Sequence, residues 1–279
     1  MERPPEEAED FEDFTAIEGP APGGPSTDPR QQEARRRLID YITEHPRRVF
    51  FSRQLEILLE NDFYHWITNR AIHELVGEGF LRGEGRRLQT GSPIHLVWHH
   101  RYRYYRRQAA RLMGLVNEYA SPNVGAAIGL HGEFMVLEGL ARRQFVMLGR
   151  EVKEFRGVKW TSTNHNLDFV FERDNVPYGV EVKNTLRYMA YGELQTKVRL
   201  CQHIGVRPMF VVRMMPRGWI REVVREGGFV LVLKWQLYPW THADIARRVK
   251  SELGLPVDAP RRLYDRTVDR FVDWHEESL

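Results

Sequence analysis

Residues 166–183 read NLDFVFERDNVPYGVEVK. Two runs rich in Val, Phe and Tyr, NLDFVFE and YGVEVK, flank RDNVP, whose Asp, Asn and Pro are turn formers, so the stretch predicts a β-hairpin. Strand alternation puts Leu167, Phe169 and Phe171 on one side and Asp168 on the other. It likewise sets Val180 and Val182 opposite Glu181 and Lys183. Two carboxylates and an ammonium can thereby converge. Such groups stand in the middle of an apolar strand only where the face is solvated or functional.

Working outward, residues 132–145, GEFMVLEGLARRQF, space Phe134, Leu137, Leu140 and Ala141 as a helix does, with Glu133 in the first turn. A polar section, REVKEFRGVKWTSTNHN, joins it to the hairpin. After Lys183 come Asn184 and Thr185, a helix from Glu193 to Ile204 that carries Gln195, and PMFVVRM as a strand. Further on, GGFVLVLKWQLYP reads as another strand. ADIARRVKSELG reads as a helix with Ile245, Val249 and Leu253 inward, and RRLYDRTVDRFVDW as a cover for the core or for a dimer partner. Trp235, Tyr238 and Trp240 read as packing in preference to base-stacking platforms.

Two carboxylates on adjacent strands suit a hard divalent cation such as Mg²⁺ or Mn²⁺, which takes oxygen ligands and keeps several waters. In phosphodiester hydrolysis such an ion stabilises developing charge and activates water, while a lysine orients the water or the phosphoryl group. The order Glu133, Asp168, Glu181-Val182-Lys183 resembles the PD-(D/E)xK nuclease superfamily, and within it the archaeal Holliday junction resolvases and restriction-type endonucleases. The resemblance covers about 85 of the 279 residues, and Leu167 stands where proline is common. It implies Asp168 and Glu181 as metal ligands, the Val182 carbonyl as a third, and Lys183 as the group that positions the nucleophilic water. It further implies Glu133 as the holder of a bound water or a second metal, Gln195 as an accessory contact, and 5′-phosphate products. EVK occurs twice, at 151–153 and 181–183, and only the second has a strand carboxylate within hairpin distance upstream. Glu138 is the rival for Glu133, but its i+5 position turns it to another side of the helix.

The N-terminal third reads differently. Residues 1–30 hold nine acidic and two basic side chains with PAPGGPSTDP and no apolar periodicity, which predicts a disordered acidic tail. The other 249 residues carry a net charge of +10, and arginine outnumbers lysine 35 to 6. That balance fits a polyanionic partner, DNA, though arginine preference also reflects genome composition. Helical patterns start at Gln31 (Leu38, Ile39, Tyr41 and Ile42), at Ser52 as N-cap (Leu55, Ile57, Leu58 and Leu59), and over Phe63–Gly77. The glycine-rich basic stretch 79–99 then predicts a hairpin. Three helices and a basic hairpin resemble a winged helix over 31–98. The resemblance implies DNA contacts from Asn69 and Arg70 on the third helix and from Arg82, Arg86 and Arg87 on the wing. Residues 99–120 read as a linker helix with Arg103, Arg107 and Arg111 on one face, either on phosphate or simply solvated.

The expected architecture is α/β (α+β): a winged helix-turn-helix, a linker, and over 121–279 a restriction-endonuclease-like core with a mixed central sheet flanked by helices. The expected function is Mg²⁺-dependent DNA endonuclease; the alternatives are a non-catalytic DNA-binding regulator with a nuclease-like domain and a protein-interaction module. Paired-strand cutting in related enzymes implies a homodimer. Hydrophobic residues at 42% and charged residues at 28% are those of a globular chain. No apolar run near the roughly 20 residues of a bilayer crossing is evident, so no membrane partner is expected. MERPPEEAED lacks a secretory pattern, which places the chain in the cytoplasm, in keeping with its single cysteine, Cys201. His95, His99 and His100 match no zinc spacing, and His165 reads as a surface loop residue. No GxSxG, Walker or dinucleotide motif is present.

Overall fold

The computed structural model describes residues 28–279. The acidic tail expected over 1–30 therefore lies outside the described residues, except for Asp28, Pro29 and Arg30. The chain divides into two compact units, one running up to Val124 with Arg248–Leu255, the other comprising Gly125–Arg247 with Pro256–Leu279.

In the first unit, α1 (Pro29–Glu44) opens two residues before Gln31, because the Asp28 carboxylate accepts the Arg30 N–H at 2.9 Å and Pro29 fits the first turn. Its stripe of Ala34, Leu38 and Ile42 is fully buried. A short strand, β1 (Val49–Phe51), precedes α2 (Ser52–Leu59) and α3 (His65–Gly77). Phe51, not Ser52, occupies the cap position of α2; the Ser52 hydroxyl pairs instead with His95 Nδ1 at 3.0 Å. The basic hairpin forms from β2 (Leu81–Arg87) and β3 (Pro93–His99), and β1 adds a third antiparallel strand in the order β1-β3-β2. Phe50, Leu55, Ile72, Leu75 and Val97 close the core with α1. The helix α4 (Tyr105–Tyr119) starts after Arg103. Segment 248–255, expected to complete the C-terminal domain, packs here: Gln54 Nε2 donates to the Leu253 carbonyl at 2.7 Å.

The second unit is built on a five-stranded mixed sheet in the order β10-β9-β8-β7-β4. Its members are β4 (Val146–Val152), β7 (Leu167–Arg173), β8 (Val176–Lys183), β9 (Arg207–Val212) and β10 (Phe229–Val232). Small pairs β5 (Glu154–Phe155) with β6 (Val158–Lys159), and β11 (Gln236–Leu237) with β12 (Val257–Asp258), lie beside it. The predicted hairpin is β7–β8. Its strands run closer to the turn than RDNVP implied, because Asp174 and Asn175 alone make the reversal at φ 53° and 61°, the left-handed pair that a two-residue hairpin needs. Strands β8, β9 and β10 are parallel, with α6 (Tyr191–Ile204) and α7 (Arg217–Arg225) in the crossovers.

Four expectations need correction. The helix α5 spans Pro122–Ala141, so Glu133 sits in its middle and not in a first turn. With 20 residues and a mean hydropathy of 1.3 in its best window, α5 does reach the length and apolarity of a membrane span, and its Met135, Val136 and Leu140 are buried on the sheet. The strand β4, the sheet edge antiparallel to β7, runs from Val146 into the first three residues of the stretch taken as polar connection, and its successive apolar Val146, Met147 and Leu148 are all exposed, so no period-two alternation marks it. On β7 the strict alternation also fails: Phe169 and Phe171 join the cluster of Tyr178, Val180, Met209 and Phe271. Leu167 instead packs with Val170, Leu200 and Cys201 under α6.

Downstream, α8 (Ala243–Arg248) passes into a single wide turn at Val249–Leu253, and α9 (Asp265–Glu277) covers the sheet through Val268 and Phe271. The Tyr178 hydroxyl and His275 Nδ1 stand 2.7 Å apart and pin that helix. Burying Val268 and Phe271 contributes about 1.5–3 kcal/mol each.

Candidate active site

The β7–β8 ladder ends at Phe169 and Val180. Beyond it, the Val182 N–H donates not to a β7 carbonyl but to Asp168 Oδ2, at 2.6 Å. A residue's N–H and C=O project to the same edge of a strand, so the Val182 carbonyl faces the Asp168 side as well. Glu181, one residue earlier on β8, is 3% exposed and turns to α6.

Two ammonium groups meet Glu181. Lys197 Nζ, itself buried, donates to Oε2 at 2.6 Å and also to the Asn166 carbonyl. Lys183 Nζ stands 3.9 Å from Oε1 and 2.7 Å from Glu193 Oε1. Glu193 and Lys197 are four apart on α6 and therefore share a face. Between them, Gln195 turns to the Tyr191 hydroxyl and is not brought to the carboxylates. Sequence reasoning named Gln195 and missed Lys197 and Glu193; their i, i+4 spacing on a helix following β8 was the available signal.

Glu133 stands on α5 with its carboxylate 3.2 Å from the Arg150 guanidinium of β4. Its rival, Glu138, is taken by Arg142 at 2.7 Å. Gly132 explains how α5 comes so close: a Cβ there would lie 2.5 Å from the Asn184 Cβ. Asn184, next after Lys183, donates to the carbonyls of Ile128 and Leu237 at 2.9 and 2.7 Å and accepts the Leu237 N–H at 2.7 Å.

The electrostatics follow from burial of like charges. Desolvation, then the neighbouring Asp168 charge, pushes Glu181 up to about 7 despite Lys197 and Lys183. Asp168 is raised by burial, against the Val182 N–H and both lysines, and Glu133 is raised by burial and by Asp168. Burial alone would depress Lys183, but Glu193 and Glu181 outweigh it and hold the ammonium above its ordinary value.

Among the described residues no three Asp, Glu, His or Cys groups stand close enough to cage an ion by themselves. Glu133 is thus not gathered into one cage with Asp168 and Glu181, since its charge is turned to Arg150. The donor set is still all-oxygen. Four carboxylates (Glu133, Asp168, Glu181 and Glu193) face three cations (Arg150, Lys183 and Lys197), leaving one negative charge in excess when all are ionised. Asp168, Glu181 and the Val182 carbonyl, completed by water, fit a hard divalent cation.

In the first unit, Arg70, Arg82, Arg87, Arg103 and Arg107 are exposed. Asn69 is not free to read a base: its Nδ2 donates to the buried Glu56 carboxylate at 2.8 Å. Arg86 pairs with Glu84 at 2.8 Å, and Arg111 with Glu252 at 3.0 Å. The expected three-arginine stripe is therefore reduced on α4 to Arg107 and a paired Arg111. His95 lies 5.8 Å from the stacked His73 ring, and His165 bonds the Thr163 hydroxyl.

Comparison of the chain with protein-family models, with curated proteins and with solved structures finds no match.

Proposed function

We propose that the protein is a divalent-cation-dependent DNA endonuclease of the PD-(D/E)xK type, with a winged-helix module in its first unit for DNA recognition. The observation that carries this reading is the open end of the β7–β8 ladder, where Asp168 takes the Val182 N–H, its charge reaches buried Glu181, and the Lys183 ammonium stands 3.9 Å from Glu181 Oε1. Asp168, Glu181 and the Val182 carbonyl would hold Mg²⁺ or Mn²⁺, which supplies charge neutralisation at the phosphoryl group and acidifies coordinated water.

The chain's own groups divide the remaining work. Lys183 stays protonated at neutral pH, so it acts as a donor that orients the attacking water or a non-bridging phosphate oxygen, not as a base. Glu193 aims that ammonium, and Lys197 holds one oxygen of Glu181, leaving the other toward Asp168 and Lys183. In the first unit, Arg70, Arg82, Arg87, Arg103 and Arg107 would contribute phosphate contacts with a salt-dependent, sequence-independent share of affinity. A DNA-binding regulator without catalysis is the second reading. It draws on Lys197, which already neutralises part of the charge a cation would otherwise balance.

The test is incubation of supercoiled plasmid, four-way junction and linear duplex with the full chain, with Mg²⁺ and with chelator. Cleavage with Mg²⁺ alone, lost in Asp168→Ala while DNA binding persists, supports the nuclease. Equal cleavage by both proteins, or none with intact binding, overturns it, the latter in favour of the regulator.

A further inference from the structure

A cavity of about 420 Å³ in the second unit is lined by His131, Trp240, Pro260 and Arg261. That volume lies within the range of small-molecule sites, roughly 300–1,000 Å³. Trp240, expected to be packing, is 74% exposed, so its indole face is uncovered. Arg261 is exposed on the same rim, and Pro260 supplies apolar wall. His131 Nε2 is shielded from solvent and has no hydrogen-bond partner among the described residues. A polar atom left so is costly unless something brings it a partner.

One residue, Asn184, ties the elements that line the cavity to the end of β8. Asn184 follows Lys183 and ties Ile128 of α5 to Leu237 of β11. His131 stands three residues beyond the first tie, two before Glu133, and Trp240 three beyond the second. An aromatic plane, a guanidinium and an unsatisfied ring nitrogen together call for a flat heteroaromatic group with a polar edge and an attached anion.

We propose that this cavity holds an unpaired nucleotide of the DNA strand. Its base stacks on Trp240, its edge bonds His131 Nε2 and its phosphate meets Arg261. The inference deepens the nuclease reading by naming the substrate class, DNA with an unstacked base near the cut in place of continuous duplex, and it rests on that reading for its catalytic consequence.

The experiment compares binding, with chelator present, of the full chain to a labelled duplex and to the same duplex carrying one unpaired 2-aminopurine. Wild type should prefer the second and quench its fluorescence. Trp240→Ala should lower that preference about tenfold, Trp240→Phe should keep most of it, and Arg261→Ala should weaken it with a shallower salt dependence. An unchanged preference or unchanged quenching in Trp240→Ala, or no preference in wild type, overturns the proposal. Parallel Mg²⁺ assays separate the two ideas. Loss of preference in Trp240→Ala without any wild-type cleavage keeps the subsite and discards the nuclease; cleavage with a preference indifferent to Trp240 does the reverse.

Discussion

The tripeptide Glu-Val-Lys stands in two places on one sheet, at 151–153 at the end of edge strand β4 and at 181–183 on central strand β8. At the edge, Glu151 is exposed in a left-handed conformation at φ 51° and faces water, which costs a charge nothing. At the centre, neighbours on both sides of β8 and α6 above it leave Glu181 3% exposed, and every charge nearby is then felt through a poorly screening medium. Identical residues therefore acquire opposite characters. The electrostatic character of each copy comes from strand position, and the motif only supplies the groups.

The sharpest way to break that comparison is to remove the two lysines in turn. Lys183→Ala should lower cleavage by about 10²–10³-fold, as loss of one oriented transition-state donor does. Lys153→Ala should leave it unchanged, which single-turnover rates at saturating Mg²⁺ would check. Equal losses would show that the central copy is not special. Next in size is Lys197→Met. It leaves Glu181 buried without its nearest cation, so the metal-free protein should lose about 3 kcal/mol in denaturant unfolding. Added Mg²⁺ should recover part of that loss by linkage. The same change at Lys153 should stay within about 0.5 kcal/mol.

The pH dependence of the metal-free protein sharpens the contrast further. Glu181 has a folded value raised from 4.5 to about 7, so the native state binds more protons than the unfolded chain between those limits. Stability should accordingly fall as pH rises from about 4.5 to about 7 and level off above, by up to about 3 kcal/mol. Glu181→Gln should flatten that slope, and Glu151→Gln should not. Thermal unfolding at fixed ionic strength across this window measures both.

Legibility followed burial. The β7–β8 hairpin could be read because both its faces are apolar and its turn needs Asp and Asn, and Asp168, Glu181 and Lys183 could be read as the polar exceptions within it. Edge strand β4 could not, since its consecutive apolar residues Val146, Met147 and Leu148 are all exposed and make no inward/outward alternation to recognise. Gln195 was named because the resemblance carries a glutamine on this helix, whereas helix geometry selects the i, i+4 pair Glu193 and Lys197 that faces β8. Leu167 changed sides because the end of β7 departs from ladder geometry, where Asp168 takes the Val182 N–H. Period-two counting has no means of expressing that departure. Segment 248–255 returned to the first unit through partners some 200 positions away, such as Gln54 with Leu253, for which local sequence holds no signal.

Glycines near the two copies provide the smallest and most local comparison. A Cβ at Gly132 would stand 2.5 Å from the Asn184 Cβ, a branch point fixed by three hydrogen bonds to Ile128 and Leu237. Neither side can yield without moving α5 away from the residue that follows Lys183. At Gly149, beside the first copy, a Cβ would stand 2.9 Å from Val152 Cγ2, a methyl at the sheet edge that can rotate or shift. Gly132→Ala should therefore cost about 1–3 kcal/mol by overpacking and raise the Mg²⁺ requirement for cleavage, because Glu133 and Asn184 move together. Gly149→Ala should cost less and leave the Mg²⁺ dependence alone. Unfolding midpoints paired with Mg²⁺ titrations of cleavage distinguish the two. Equal midpoints would mean that the close approach of α5 to the end of β8 is not what sets the geometry of the carboxylates.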